Sequence, residues 1–464
     1  MLNRRLFCIA WAALLGCVLT ISGCGGGSSS AKATSPTLPT PPPSGGTGSI
    51  PAGFFAVNDT IGGGPPQLNY GTLAHPVALA WQTIEQQNGV FDFSIFDNFV
   101  VNIAPKDSSG TALMVMTLGK TPPWATSQSA TCQLDEAGNT IGCTAPPDNI
   151  QDWTNFITQL MNHYNGSNAP HVKYYEIWNE ADNLVSWSGT PAQMEQLAAA
   201  AYPIIKQDTH SLVLGPSVTG NIHGSLPHDP TVWLNSYLSA GGTAYQDITS
   251  FHGFVYSLSQ VPYPLPTEDC LGTDPNCGGS IVAQVAAYQS VLTQNGVSGR
   301  PLFNTEGGFE GANIPDLDTK AAWLAQYYVL QAGMYDSSQV QLVSWFTWGA
   351  PDGSLETGGV LTPVGIAYDQ VYDWLVGRTL SSPCSNNGSV WTCTMTGSGG
   401  YQAEIIWDSS QTCAAGICTA SNQTASSTYL EYKDLAGNSF AITNQTVPVG
   451  LKPILLDNQS AGGT

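Results

Sequence analysis

From Pro51 onward, short apolar runs rich in β-branched and aromatic residues alternate with longer runs of helical spacing. This alternation limits the fold more than any other feature. The short runs are Phe54–Val57, Val77–Trp81, Ala112–Leu118, Val172–Trp178, Leu212–Pro216, Ile248–Gly253, Leu302–Thr305 and Gln341–Trp348. Between them lie Ile95–Ile103, Ile150–Tyr164, Pro191–Asp208, Pro230–Leu238, Ile281–Gln294 and Lys320–Met334, and Ile366–Val376 follows without Gly or Pro. Asp148 and Thr190 stand as caps before Ile150 and Pro191. Strands alternating with helices predict a parallel sheet. Eight such units over roughly 330 residues suit an α/β chain folded as a (β/α)8 TIM barrel. A doubly wound sheet is the rival, but Gly62-Gly63-Gly64-Pro65-Pro66 lacks the spacing of a phosphate-binding turn.

The flanks read differently. Arg4 and Arg5 precede an apolar stretch, Leu6 to Ile21, that is too short to span a membrane in the mature protein. Residues 1–23 are therefore expected to be a signal peptide. Its end, Ile21-Ser22-Gly23-Cys24, resembles a bacterial lipobox, which implies lipidation of Cys24 and, with Gly25 following, outer-membrane sorting. An ordinary signal peptide with an incidental Cys is the alternative. Residues 24–50 form a Gly/Ser/Pro-rich tether, residues 51–378 the barrel, and residues 379–464 a small all-β, sandwich-like domain of short strands separated by Gly, Asn, Ser and Asp. The β domain is expected chiefly to brace the barrel, with glycan binding as its other possible role.

Cysteine usage fits export. Eight cysteines remain after the leader and Cys24, and short-range closure pairs Cys132 with Cys143, Cys270 with Cys277, Cys384 with Cys393, and Cys413 with Cys418. Zinc is the alternative use, disfavoured because no C-x-x-C pair occurs. The formal charge of −21 becomes −23 once Arg4 and Arg5 leave with the signal. So acidic a chain lacks the basic face that nucleic acid requires. It also repels anionic lipid or anionic glycan unless a local basic pocket exists.

Two acids stand out at the ends of β-prone runs: Glu180 in Tyr174-Tyr175-Glu176-Ile177-Trp178-Asn179-Glu180, and Glu306 in Leu302-Phe303-Asn304-Thr305-Glu306. In a barrel that strand edge carries the chemistry, and a facing pair of acids is what breaks a glycosidic bond. Glu176 shares parity with Trp178 and is expected to point into the barrel as a structural acid; Glu85 is expected to scaffold a loop, and Trp81 to be core.

With Trp81-Gln82-Thr83-Ile84-Glu85, Gly89-Val90-Phe91-Asp92, Leu118-Gly119-Lys120-Thr121-Pro122-Pro123-Trp124-Ala125 and Ser250-Phe251-His252, these motifs resemble clan A glycoside hydrolases, closest to the family 39-like xylosidase and exopolysaccharide-hydrolase group. The resemblance implies a retaining hydrolase of β-linked glycans, with Glu180 as acid/base and Glu306 as nucleophile. It implies that Asn179 binds the sugar 2-hydroxyl and that a Trp at the end of strand eight, Trp345 or Trp348, floors the subsite. Trp124 and Trp187, in loops at the same edge, are candidate walls. His252 is expected to line the pocket or orient a carboxylate. Two departures are visible. The usual strand-two Arg is missing, with His75 the candidate to replace it, and Phe254 stands where the family places a Tyr, with Tyr256 two residues on. No cofactor or metal is expected. The expected partners are an oligo- or polysaccharide and, through lipid, a membrane surface, for a monomer. The alternative function is a non-catalytic surface glycan-binding lipoprotein on the same barrel.

Overall fold

The computed structural model describes residues 48–459, apart from 59–65, 75–78, 136–137, 221–228, 256–263, 269–278, 310–313, 315, 350–354 and 381. Met1–Leu38 separates from one compact unit, Pro39–Thr464, which holds every described residue. Cys24, His75, Tyr256 and the pair Cys270 and Cys277 therefore lie outside the described residues. Among the described residues no helix is long and apolar enough to cross a membrane.

Eight parallel strands form the barrel: β1 (Phe55–Asn58), β2 (Thr72–Ala74), β3 (Ala112–Thr117), β4 (Val172–Glu176), β5 (Leu212–Leu214), β6 (Thr249–His252), β7 (Leu302–Glu306) and β8 (Val340–Trp345). Each pairs with its neighbour in sequence and β8 pairs with β1. A bridge between Leu214 and Ile248 joins β5 to the approach of β6 and closes the ring. Period-two alternation sorts the side chains. Ala56, Ala74, Val115, Leu214, Phe303 and Leu342 fill the interior. Their neighbours face the helices: the Phe55 ring packs on Tyr328, Tyr368 and Tyr372 at 5.0–5.7 Å.

The helices are α1 (Ala80–Ile84), α2 (Ser94–Asn98), α3 (Ile150–His163), α4 (Pro191–Ile205), α5 (Pro230–Ser239), α6 (Ile281–Gln294), α7 (Leu317–Ala332) and α8 (Pro363–Leu375). A π-turn, Phe99–Ile103, extends α2. Thr190 and Gln193 form a reciprocal capping box on α4. The cap of α3 is Asn149, not Asp148, whose carboxylate instead accepts from Ser127 N at 2.7 Å.

One expected strand is wrong. The run Val77–Trp81 ends inside a helix, Ala80–Ile84, with residues 77–78 outside the described ones, and β2 is the three-residue Thr72–Ala74. A short unbroken apolar run does not distinguish a strand from a buried helical turn. Here Trp81 is fully buried against Trp153 and Phe156.

After the barrel, Thr379–Leu380, Ser385–Asn387, Val390–Thr396, Gln402–Asp408, Glu431–Lys433, Ser439–Ala441 and Ile454–Asp457 form a seven-stranded sheet, and Ala420–Thr424 pairs with Thr446–Gly450 as a ribbon. Ile406, Ile454 and Leu456 pack with Val447 and Val449 of the ribbon. The alternate residues Met395, Ile405, Trp407 and Leu455 join the barrel's own core. Gln326 of α7 donates to Leu451 O at 2.9 Å, and Lys452 pairs with Asp318 at 2.8 Å. Disulfides close Cys132–Cys143, Cys384–Cys393 and Cys413–Cys418.

Candidate active site

Glu180 and Glu306 meet at the C-terminal mouth of the barrel. Glu306 ends β7; Glu180 lies in the loop after β4, in a left-handed conformation with φ 41°. The backbone N–H of Glu180 donates to Ser217 Oγ at 3.0 Å, which fixes the turn from the strand-five side. Between the two acids lies His252, the last residue of β6. Its Nδ1 stands 3.0 Å from Glu180 Oε1 and 3.0 Å from Glu306 Oε2. One oxygen of each carboxylate and the imidazole nitrogen all lie within 4.8 Å of one another.

His252 is fully buried, whereas the carboxylates keep 20% and 14% of their side-chain surface. Burial alone pushes the imidazole pKa down; the charge of Glu306, the hydrogen bond and charge of Glu180, and the charge of Glu176 outweigh it and hold it at about 9. An imidazolium between two carboxylates offsets their mutual repulsion.

Glu176 is fully buried in the barrel, accepting from Thr117 Oγ1 at 2.8 Å and Thr305 Oγ1 at 2.9 Å. Glu85 accepts from Trp81 Nε1 and Gly89 N, both at 2.9 Å, and so holds the loop after α1. Asn179 stands partly exposed beside Glu180.

The aromatic residues depart most from expectation. Trp345 is fully buried on the helix side of β8, sharing parity with Val343, and its ring packs on Phe309, Trp323 and Tyr327 at 5.1–6.2 Å. Trp348 is only 3% exposed. Burial withholds both rings from a ligand: Trp345 follows the strand's parity to the helix side, and Trp348 lies beyond the strand's end, where parity no longer applies. The partly exposed aromatic at this edge is Phe346, whose N–H donates to Gly307 O at 2.8 Å and whose ring meets Phe254 at 5.8 Å. Trp187 is 1% exposed, packed on Trp178 at 4.8 Å, and supports the strand-four loop instead of walling a subsite. Trp124 remains partly exposed, its Nε1 donating to Glu85 O at 2.9 Å.

Two ionisable neighbours of Glu180 escaped the motif reading. Lys120, in the loop after β3, is 8% exposed; burial lowers its pKa to about 8, while Glu180 raises it. Asp182 is 1% exposed, and its carboxylate accepts from Thr219 Oγ1 at 2.6 Å and Thr219 N at 2.9 Å. Burial pushes Asp182 up to about 7; the Thr219 hydrogen bonds oppose this and Glu180 adds to it.

At the opposite barrel end, His171, Asp208 and His210 also have ligand-like spacing. The two rings are stacked at 4.2 Å and 20°, so their in-plane lone pairs do not converge on one ion.

No family model matches the sequence, and no curated protein matches it. Solved structures do match. A family 39 glycoside hydrolase from the gut symbiont Bacteroides cellulosilyticus WH2 aligns with a TM-score of 0.61 at 16% identity, over 88% of this chain and 81% of that one. A monomeric beta-xylosidase from Caulobacter crescentus CB15 aligns at 0.59 and 14%, over 88% and 97%. A GH30 endoxylanase from Clostridium papyrosolvens C71 aligns at 0.51 and 14%, over 89% and 97%. The likeness is one of fold: a barrel with an attached β region, as the motifs implied.

Proposed function

We propose that this chain is a retaining glycoside hydrolase that cleaves a β-linked glycan by double displacement. The observation that carries this reading is the separation of the two acids, with carboxylate oxygens of Glu180 and Glu306 within 4.8 Å. Retaining enzymes hold their carboxyl groups ~5–5.5 Å apart, whereas inverting ones leave ~6.5–9.5 Å for a water.

Glu306 attacks the anomeric carbon as the bond to the leaving oxygen breaks, and Glu180 delivers a proton to that oxygen. In the second step Glu180 takes a proton from water, the resulting hydroxide attacks the same carbon, and the glycosyl–Glu306 ester opens. His252 serves both steps. Passing its Nδ1 proton 3.0 Å to Glu180 Oε1 leaves a protonated acid beside an ionised nucleophile, the state the first step needs. Once Glu306 is esterified, the imidazole has one carboxylate left to balance, which favours Glu180 as the base. In this reading Asn179 bonds the sugar 2-hydroxyl and Phe346 packs on the sugar's C–H face. Export and lipid anchoring through Cys24 belong to the same proposal, supported by the local disulfides.

An activated 2-fluoro-glycoside panel followed by peptide mapping tests the mechanism. The expected result is a covalent adduct on Glu306, lost in Glu306→Gln. Reagent turnover across several sugars with no adduct there would overturn it.

A further inference from the structure

Beside Glu180, three segments meet: the loop after β3, the disulfide-closed hairpin Cys132–Leu134/Thr140–Cys143, and the loop of residues 181–187. The general acid protonates the departing oxygen, so these segments wall the leaving-group side. Lys120 sits at their junction. Its Nζ donates to Gln133 Oε1 of the hairpin and, at 3.4 Å, to Val185 O. Gln133 Nε2 donates to the same Val185 carbonyl at 2.7 Å. Val185 N in turn donates to Asn183 Oδ1 at 3.2 Å, and Asn183 Nδ2 reaches Glu180 Oε2 at 3.4 Å. Gly142 leaves room for this arrangement: a Cβ there would stand 2.6 Å from Lys120 Cβ.

The ammonium is an unusual occupant. Among the described residues it forms no ion pair within 4 Å, and its two acceptors are neutral amide oxygens. A buried, unpaired charge is costly to keep. An apolar side chain would fill the same space without that cost, so the charge serves something other than packing. The field of Glu180 acts on this amine, which locates it within electrostatic reach of the acid.

We propose that Lys120 is a positioning residue for the leaving-group step: it locks the hairpin to the 181–187 loop and, through Val185 and Asn183, sets the orientation of Glu180. This rests on the reading of Glu180 as acid/base. It adds a role for the hairpin, which becomes part of the apparatus that aims the proton. The rim around the lock exposes Leu134, Leu184 and Val185 at 63%, 45% and 53%.

The test compares matched dinitrophenyl and methyl β-glycosides of whichever sugar labels Glu306. The first leaving group departs without a proton; the second needs one. Lys120→Met should lower kcat/KM for the methyl glycoside by roughly tenfold or more, and for the dinitrophenyl glycoside by no more than about threefold. Asn183→Ala should give the same pattern, and the double variant should lose no more than the worse single variant, since both cut one chain. Equal losses on the two substrates, or losses that multiply, would overturn the proposal and leave Lys120 a structural residue. Should Lys120→Met fail to fold, Gln133→Ala on the partly exposed hairpin cuts the same link. A wild type that labels at Glu306 but shows no leaving-group dependence in these variants sinks only this inference. A wild type that neither labels nor turns over the dinitrophenyl glycoside sinks the hydrolase reading and this inference with it.

Discussion

At the scale of residues, the carboxyl of Asp182 makes stability depend on pH in an unusual direction. Its pKa in the folded state is about 7, above the ordinary 3.8. Below both values the two states bind the proton equally. Between them the unfolded chain releases it and the folded chain does not, so this group's contribution falls as pH rises from about 4 to 7 and then levels. Asp182→Asn stays neutral throughout. Urea unfolding at pH 4.5 and 7.5 should therefore show the wild type losing stability relative to the variant, by on the order of a few kcal/mol. A difference that does not change between those pH values would refute the assignment. Glu306 and His252 were legible in the sequence because each ends a short apolar run, where barrel geometry fixes the position, and Glu180 because it closely follows one. Lys120 and Asp182 were not, since their burial depends on a hairpin and a neighbouring loop that no local pattern announces. Phe346 was hidden by the two tryptophans flanking it.

Among the elements, the helices were the easiest to read. The α6 bounds coincide with the sequence expectation, and α3 differs by one residue. Capping explains much of this. Thr190 accepts from Gln193 N at 3.2 Å, and Gln193 Oε1 accepts from Thr190 N at 2.8 Å. Thr190→Ala should cost about 1 kcal/mol in a denaturant titration, through loss of a helix start and not of core packing. A change below about 0.3 kcal/mol would mean that Pro191 alone fixes the turn. Helix α7 carries a weaker pattern for a physical reason: Ala321 to Ala332 are all buried, between the barrel and the terminal sheet, so no polar stripe marks its outside. The β2 region failed because three residues are too few to establish a period.

For the whole molecule, the terminal sheet and the barrel share one apolar core. The β module was legible as a separate texture after Arg378, although the sequence could not say which face it presented to the barrel. Ending the chain after Arg378 should strip Met395, Ile405 and Leu455 from the shared core and give insoluble protein. Recovery of a soluble, cooperatively unfolding barrel would show the two parts to be independent.

The ring itself is uneven. Neighbouring strands elsewhere share two to four paired positions, but β5 and β6 are joined at one, Leu214 with Ile248. Backbone bonds cross this seam, Asp247 N to Val213 O at 2.8 Å, Gly215 N to Ile248 O at 2.9 Å and His252 N to Val218 O at 2.8 Å, and side chains add to them: Asp247 accepts from Val213 N at 2.9 Å and pairs with Lys206 at 3.0 Å. On one bank of this seam stands Ser217, the prop beneath Glu180; on the other stands His252. The two staves that meet here thus each hold one partner of the Glu180–His252 contact, so any parting of the cask at this seam would draw the pair apart.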